Sequence, residues 1–224
     1  MKLSNNKILI TGGASGIGLG LTERFLAENN TVIVCGRHEN VLNELSEKFP
    51  QVITKQCDLS SEEEREGLFK WISEEHADLN VLINNAGIQQ WMSVEDADFF
   101  ERAKAEIAKL KSLTTIMNVT SGLSFVPFTK VPVYSATKAF FHSFTLSLRH
   151  TAKNIEVIEI IPPAINTDLG GKGLHDFAPP VSEFIESIFE QLRNGKTELT
   201  FGMSQAMSGG NREELNNIFK TLNP

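Results

Sequence analysis

The chain has 224 residues, of which 41% are hydrophobic and 22% are charged. These values are ordinary for a globular protein, and the length fits one large α/β domain that covers residues 1–224. The formal net charge of −7 argues against nucleic acid as a partner, because phosphate backbones attract basic surfaces.

The sequence carries no signal for a membrane segment, a disulfide framework or a metal site. The N-terminal residues lack the apolar segment of a signal peptide, and no apolar run is long enough to span a bilayer. We therefore expect a cytoplasmic protein with no membrane partner. Cys35 and Cys57 each end a predicted strand, and we expect two buried, reduced thiols. The five histidines form no HExxH or similar pair, so we expect no metal site.

Short apolar runs and amphipathic stretches alternate along the whole chain. The predicted strands are Lys7–Thr11, Thr31–Cys35, Val52–Gln56, Asn80–Asn84, Thr114–Thr120, Ile155–Ile161 and Thr197–Phe201. The first predicted helix follows a glycine-rich turn and ends near Glu28. The other predicted helices are Glu39–Phe49, Ser61–Glu75, Val133–Lys153, Val181–Arg193 and Asn211–Leu222. We expect residues 170–180 to form a mobile segment, and residues 202–210 are small and glycine-rich. This alternation predicts a single doubly wound parallel sheet, the Rossmann fold.

A glycine-rich turn joins the first strand to the first helix. Gly12 allows the tight turn, Gly16 lets the backbone approach a pyrophosphate, and Gly18 lets the helix pack closely on the sheet. The helix N-terminus attracts the anion. We therefore predict that this loop, including Ser15 and Ile17, binds a dinucleotide.

The second strand ends in Gly36-Arg37, where an acidic residue would bind the ribose hydroxyls of NAD. A guanidinium suits a 2′-phosphate, so the sequence favours NADP over NAD. The alternative is a solvated arginine before a helix.

The later strands end in small and polar residues. Asn85-Ala86-Gly87 follows the fourth strand, and an amide with small residues there leaves room for adenine and ribose. Ser121 follows the fifth strand. The carboxyl ends of parallel strands face the ligand crevice of such a sheet.

Tyr134 and Lys138 lie four residues apart in the long helix that follows, so their side chains share one face. An adjacent cation favours a phenolate and lowers the pKa of a tyrosine. A tyrosine tuned in this way acts as a general acid or base.

These motifs together resemble the short-chain dehydrogenase/reductase family. Thr11-Gly12-x3-Gly16-x-Gly18, Asn85-Ala86-Gly87, Ser121 and Tyr134-x3-Lys138 occur in the family's order. The stretches around Gly87-Ile88-Gln89 and the tyrosine helix look most similar to bacterial oxidoreductases of the teichoic-acid D-alanylation operon group.

The resemblance implies a carbonyl/alcohol substrate, a homo-oligomer and roles for single residues. Tyr134 would be the proton donor or acceptor, Ser121 would bind the substrate oxygen, and Lys138 would hold the nicotinamide ribose and lower the tyrosine pKa. Four further residues match positions that contact adenine or the nicotinamide carboxamide: Asp58, Leu59, Ile165 and Thr167.

The segment between Gly87 and Ser121 is shorter than in the family, which implies a shortened helix between strands four and five. In the family, that helix usually carries a relay asparagine and much of the dimer interface. Two explanations of the short segment remain open: the given sequence omits a stretch, or the helix is genuinely short, which puts the proton relay and oligomerisation in doubt. Three functions follow: an NADP-dependent oxidoreductase, a cofactor-binding protein without effective catalysis, or a dehydratase or epimerase.

Overall fold

The computed structural model describes residues 1–87 and 112–224. Its strands are β1 Lys7–Thr11, β2 Thr31–Gly36, β3 Ile53–Gln56, β4 Val81–Asn84, β5 Thr115–Val119, β6 Glu156–Ile161 and β7 Glu198–Thr200. They form one sheet in the order β3-β2-β1-β4-β5-β6-β7. The direction of winding reverses between β1 and β4, which confirms the predicted doubly wound parallel fold.

Seven helices are found in the described ranges. They are α1 Gly16–Ala27, α2 Glu39–Lys48, α3 Glu62–Glu75, α4 Pro132–Thr151, α5 Val181–Arg193, α6 Met203–Gly209 and α7 Arg212–Leu222. A 3₁₀ turn at Gly122–Ser124 follows β5. Within these ranges, no helix combines the length and the apolar character that crossing a bilayer requires. The shortened helix predicted before β5 falls almost entirely in residues 88–111, outside the described part of the chain.

One compact unit contains residues 1–87, 112–117 and 154–156 of the described chain. At its centre, β1 pairs in parallel with β2 and β4, so that Ile8 lies opposite Val32 and Val81. Ile8, Leu9 and Ile10 are completely buried. Consecutive buried residues are typical of a strand that is covered on both faces, which explains why the sequence identifies this strand so readily.

A second compact unit contains residues 118–153 and 157–224. Helix α5 supplies much of its core, because Phe184, Ile188 and Phe189 are completely buried. The ring of Phe184 meets that of Phe201 edge to face, with centroids 5.8 Å apart. The apolar spacing of this helix in the sequence therefore corresponds to a real buried face.

The sequence also predicts that Ser60 or Ser61 caps α3 and that Cys35 and Cys57 are buried thiols. Ser61 caps α3, and its hydroxyl accepts a hydrogen bond from the backbone N–H of Glu64 at 3.3 Å. The glutamates that follow lie in the first turn, where acidic side chains complement the helix dipole. Cys35 and Cys57 are buried and form no disulfide.

Helix α6 is the main difference from the predicted elements, whose ends otherwise agree to within two residues. The sequence of residues 202–210 indicates only a small, glycine-rich stretch. In the structure, the Ser204 hydroxyl donates a hydrogen bond to the carbonyl of Ile161, and Met207 is buried. These tertiary contacts override the weak helix propensity of the segment.

Candidate active site

Glycines shape the loop between β1 and α1. Gly12 has a φ of +64°, a left-handed conformation that glycine adopts without strain. A Cβ atom on Gly18 would overlap the carbonyl oxygen of Gly12, so the close packing predicted for Gly18 is present. A Cβ on Gly13 would lie 2.8 Å from Val34 and 2.9 Å from the Thr22 hydroxyl. Sequence reasoning gave Gly13 no role, although its place beside Gly12 was a signal.

Helix α1 begins at this loop with Ser15 as its N-cap residue. The Ser15 side chain makes no capping hydrogen bond, and the first turn carries no acidic side chain. The first backbone N–H groups of a helix have no partner inside the helix, and together with the helix dipole they attract an anion. Gly16 and Ile17 open this turn, so the cradle fits the pyrophosphate of a dinucleotide.

The residues after β4 are tied to the same loop. The Thr11 hydroxyl accepts hydrogen bonds from the backbone N–H groups of Asn85 and Ala86, both at 3.0 Å. The Asn85 amide donates to the carbonyls of Thr11 and Gly12 at 3.0 and 3.1 Å. Asn85 therefore holds the loop in shape, whereas Ala86 and Gly87 are exposed. Sequence reasoning missed Thr11 as a positioning residue.

Arg37 lies just beyond β2 and is exposed. Its Nε donates a hydrogen bond to Nε2 of His38 at 3.0 Å, and the Gln56 side chain donates to its backbone carbonyl at 3.1 Å. A guanidinium and an imidazole thus lie side by side at the position where the sequence predicts 2′-phosphate recognition. His38 is a further candidate that its place beside Arg37 would have revealed.

Asp58 and Leu59 form the exit from β3. Asp58 accepts a hydrogen bond from the backbone N–H of Ser60 at 2.9 Å, and its own N–H donates to the Glu64 carboxylate at 2.7 Å. These bonds fix the turn into α3. Asp58 and Leu59 are both partly buried.

Ser121 and Tyr134 lie side by side in the second unit. The Ser121 oxygen accepts a hydrogen bond from the backbone N–H of Leu123 at 3.1 Å, and its side chain lies close enough to that of Tyr134 to influence the pKa of the phenol. Tyr134 lies in the first turn of α4, which begins with Pro132 at a position where proline needs no N–H partner. Burial raises the pKa of Tyr134 to about 12, although the neighbouring Ser121 side chain acts in the lowering direction.

Lys138 lies one turn further along α4. Its ammonium donates to the carbonyl of Val119 at 2.8 Å and lies 5.6 Å from the centre of the Tyr134 ring. Burial lowers the pKa of Lys138 to about 8. Burial therefore outweighs any lowering of the Tyr134 pKa in this structure, and the predicted effect of Lys138 on that pKa stays a prediction. Desolvation of the phenol dominates, and the ammonium is bound to a backbone carbonyl instead of the hydroxyl.

Ile165 and Thr167 follow β6. Ile165 is buried, and the Thr167 hydroxyl accepts from the backbone N–H of Leu169 at 3.4 Å. Between them, the backbone N–H of Asn166 donates to the carbonyl of Pro179 at 2.9 Å. This contact closes a loop over residues 167–178, whose predicted mobility stays a prediction.

The structure thus brings the predicted residues together in two groups. In the first unit, the glycine loop contacts Asn85 and Ala86. In the second, Ser121, Tyr134 and Lys138 lie together. From the sequence, Trp91 and Met92 are equally plausible as pocket residues and as packing residues, and both lie outside the described residues. In the ranges 1–87 and 112–224, no group of three or more His, Cys, Asp or Glu side chains is arranged to hold a metal ion.

Comparisons with known proteins cover almost the entire chain. The family described as short chain dehydrogenase matches residues 6–176. The uncharacterized oxidoreductase DltE of Bacillus subtilis (strain 168) is 38% identical, covering 100% of this chain and 98% of its own. Serine 3-dehydrogenase of Rhizobium radiobacter is 26% identical, over 97% of this chain and 81% of its own.

A solved structure supports the same relationship. A short chain dehydrogenase of Burkholderia cenocepacia J2315, in complex with NADP, has a TM-score of 0.79 and 25% identity, covering 98% of this chain and 99% of its own. The alignment with the Bacillus protein has 248 positions against 224 residues here, so 24 positions have no counterpart in this chain. The chain belongs to the short-chain dehydrogenase family of oxidoreductases.

Proposed function

We propose that the chain interconverts a carbonyl and an alcohol by hydride transfer with NADP, using Tyr134 as the acid/base. The observation that carries this proposal is that the Ser121 side chain lies beside that of Tyr134, with Lys138 one turn away. Hydride transfer to a carbonyl requires a proton donor within hydrogen-bond reach of the reacting oxygen. A serine and a tyrosine whose side chains lie next to each other offer two such donors to the same oxygen.

The residues of the first unit fit NADP. The glycine loop and the N-terminus of α1 would hold the pyrophosphate, Arg37 would hold the 2′-phosphate, and Asp58 and Leu59 would flank the adenine. No carboxylate stands beside Arg37 in sequence, which disfavours NAD. The NADP bound to the Burkholderia relative supports the same choice.

The residues of the second unit would hold the reactive end of the cofactor. Ile165 and Thr167 would bind the carboxamide, while Tyr134 and Lys138 would bind the ribose hydroxyls. When bound, NADPH supplies the hydride. We propose that residues 1–224 act as one dinucleotide-binding domain for this purpose. Cytoplasmic location and homo-oligomerisation stay predictions.

The chemistry of the described residues suits reduction at neutral pH. Ser121 and Tyr134 donate hydrogen bonds to the substrate oxygen, and Tyr134 transfers its proton to that oxygen. Because the pKa of Tyr134 is raised to about 12, the phenol carries the proton that this step consumes. The reverse reaction needs the phenolate. Lys138, whose pKa of about 8 keeps it charged at pH 7, is the cation that would stabilise it.

A second candidate function is cofactor binding without turnover. The observation that favours it is the absence of 24 alignment positions relative to the Bacillus relative. The family resemblance implies that a relay helix precedes β5, and its loss would slow proton exchange while leaving the dinucleotide site intact.

One experiment separates the two functions. NADPH and NADH are titrated against the wild-type chain by fluorescence, and NADPH oxidation is then followed with a panel of aldehydes and ketones. The oxidoreductase proposal predicts tighter binding of NADPH and its consumption with at least one carbonyl. Tight NADPH binding with no consumption across the panel supports the second function, and failure to bind either nucleotide contradicts both.

A further inference from the structure

Polar side chains line one face of α4. Residues at i, i+4, i+8 and i+11 of a helix point in nearly the same direction. The four residues with this spacing are Tyr134, Lys138, His142 and Thr145. We call this row the polar seam. Lys138, His142 and Thr145 are hydrogen-bonded to β5 or β6, so α4 docks through hydrogen bonds as well as apolar contacts. Tyr134, the fourth member, lies beside Ser121.

Glu159 is a completely buried partner of the seam. It lies in β6 and has no exposed surface. One of its carboxylate oxygens accepts a hydrogen bond from the Thr120 hydroxyl at 2.7 Å. The same oxygen lies 2.9 Å from Nδ1 of His142, and the second oxygen lies 3.1 Å from that nitrogen. The proposed chemistry uses neither Glu159 nor His142.

The cost of burying this carboxylate makes stability a weak explanation for it. Removing a carboxylate from water costs free energy even when it is paired, and an apolar replacement of similar volume is often as stable. The best-attested use of buried polar pairs is to select one arrangement among several apolar alternatives. A helix that docked by apolar contacts alone would more easily shift along the sheet.

The arrangement that this pair selects is the one on which the candidate active site depends. Thr120 immediately precedes Ser121, so a bond that holds Thr120 also holds the serine. His142 lies one turn beyond Lys138 and two turns beyond Tyr134 on the same face of α4. Glu159 therefore bonds Thr120, at the end of β5, and His142, on α4, at the same time.

We propose that His142 and Glu159 are positioning residues, which act through Thr120 to hold Ser121 against Tyr134 and Lys138. The expected effect on turnover rests on the proposed function, whereas the effect of the pair on the surroundings of Tyr134 is tested without any turnover. The pair touches no substrate, and its effect reaches the reaction only through the placement of the serine, tyrosine and lysine.

Tyr134 is the only tyrosine in the chain, which provides a direct readout. Protein labelled with carbon-13 at the tyrosine ζ position gives one resonance, and its pH titration reports the pKa of Tyr134 alone. The variants are His142→Ala, which removes the ring, and His142→Asn, which keeps a donor near the position of Nδ1. Arg149→Ala is the matched control, because Arg149 also ties α4 to β6 through the Val157 carbonyl at 3.2 Å.

We expect His142→Ala to move the Tyr134 resonance and its titration midpoint, and His142→Asn to restore most of the wild-type values. We expect Arg149→Ala to leave both unchanged, since it lies four turns from Tyr134. For turnover of NADPH with a carbonyl, kcat should fall about tenfold or more in His142→Ala, because small misplacements of reacting groups are costly. The Kd for NADPH should stay within about twofold, as expected when transition-state contacts alone are lost.

Thr120→Val provides a second route that leaves the Glu159–His142 contact in place, and Thr120→Ser restores the hydroxyl. Thr120→Val should reproduce the change at Tyr134 even if His142→Ala does not fold. An unchanged Tyr134 titration in folded Thr120→Val contradicts the proposal, as does an equal change in Arg149→Ala. If wild type binds NADPH but turns over no carbonyl, the proposed function fails while the tyrosine titration still decides the positioning role.

Discussion

Replacing Lys138 by methionine is predicted to stabilise the protein at neutral pH and to destabilise it at high pH. The ammonium is partly buried, and burial lowers the pKa of Lys138 from its ordinary 10.5 to about 8. The folded chain therefore binds this proton less tightly than the unfolded chain does. Below pH 8 the charged lysine opposes folding, and this opposition disappears as the pH rises towards 10.5.

The magnitude follows from the shift and from one hydrogen bond. A shift from 10.5 to about 8 corresponds to about 3 kcal/mol, at roughly 1.4 kcal/mol per pKa unit. Methionine removes this penalty but leaves the Val119 carbonyl without its donor, which costs about 1–2 kcal/mol. We expect the free energy of unfolding to rise by about 1–2 kcal/mol at pH 7 and to fall by about 1 kcal/mol near pH 10.5.

Urea unfolding followed by tryptophan fluorescence at both pH values measures this difference. Lys153→Met is the control, because Lys153 is exposed just after α4 and should change stability little at either pH. The reasoning is refuted if Lys138→Met destabilises the chain at pH 7, or if its effect is the same at both pH values.

Three further predictions concern the first unit. Arg37→Asp should weaken NADPH binding about 10- to 100-fold without weakening NADH binding, because a charge-assisted contact with the 2′-phosphate is lost. If the wild type binds NADH more tightly than NADPH, the role of Arg37 is contradicted. Gly18→Ala should lower NADPH affinity and cost about 1–3 kcal/mol of unfolding free energy, since the new Cβ meets the loop. Gly67→Ala is its control, because a Cβ there meets nothing within 4 Å, and it should be neutral or stabilising in a helix. Thr11→Val should cost about 1–3 kcal/mol by leaving two backbone donors unpaired, and equal urea midpoints for variant and wild type contradict the proposed bonds.

The sequence predicts the architecture well because a parallel sheet covered on both faces requires continuous apolar strands. Runs such as Lys7–Thr11 and Thr31–Gly36 carry that pattern, and turn glycines mark their ends. Helix α6 is different, since seven residues with weak propensity are held by contacts of Ser204 and Met207 with distant parts of the chain. Local patterns do not encode such contacts.

The candidate site divides in the same way. Spacing alone places Tyr134 and Lys138 on one face of α4, and the structure agrees. Whether the pKa of Tyr134 is raised or lowered depends instead on how deeply the phenol is buried and on which group the Lys138 ammonium bonds. Both are determined by packing. Likewise, the sequence does not reveal that Glu159 in β6 contacts His142 in α4, because the two residues are 17 positions apart in different elements.

Turnover by Tyr134→Phe, compared with wild type, tests the central claim most directly. The substitution removes one hydroxyl from a ring that otherwise packs as before, so NADPH affinity should stay within about twofold while transition-state stabilisation is lost. Ser143→Ala, an exposed change on the same helix, serves as the control and should leave turnover unchanged. With a carbonyl that wild type reduces, we predict that Tyr134→Phe binds NADPH normally and shows no measurable NADPH oxidation. Oxidation at the wild-type rate by this variant would contradict the assignment of Tyr134 as the acid/base.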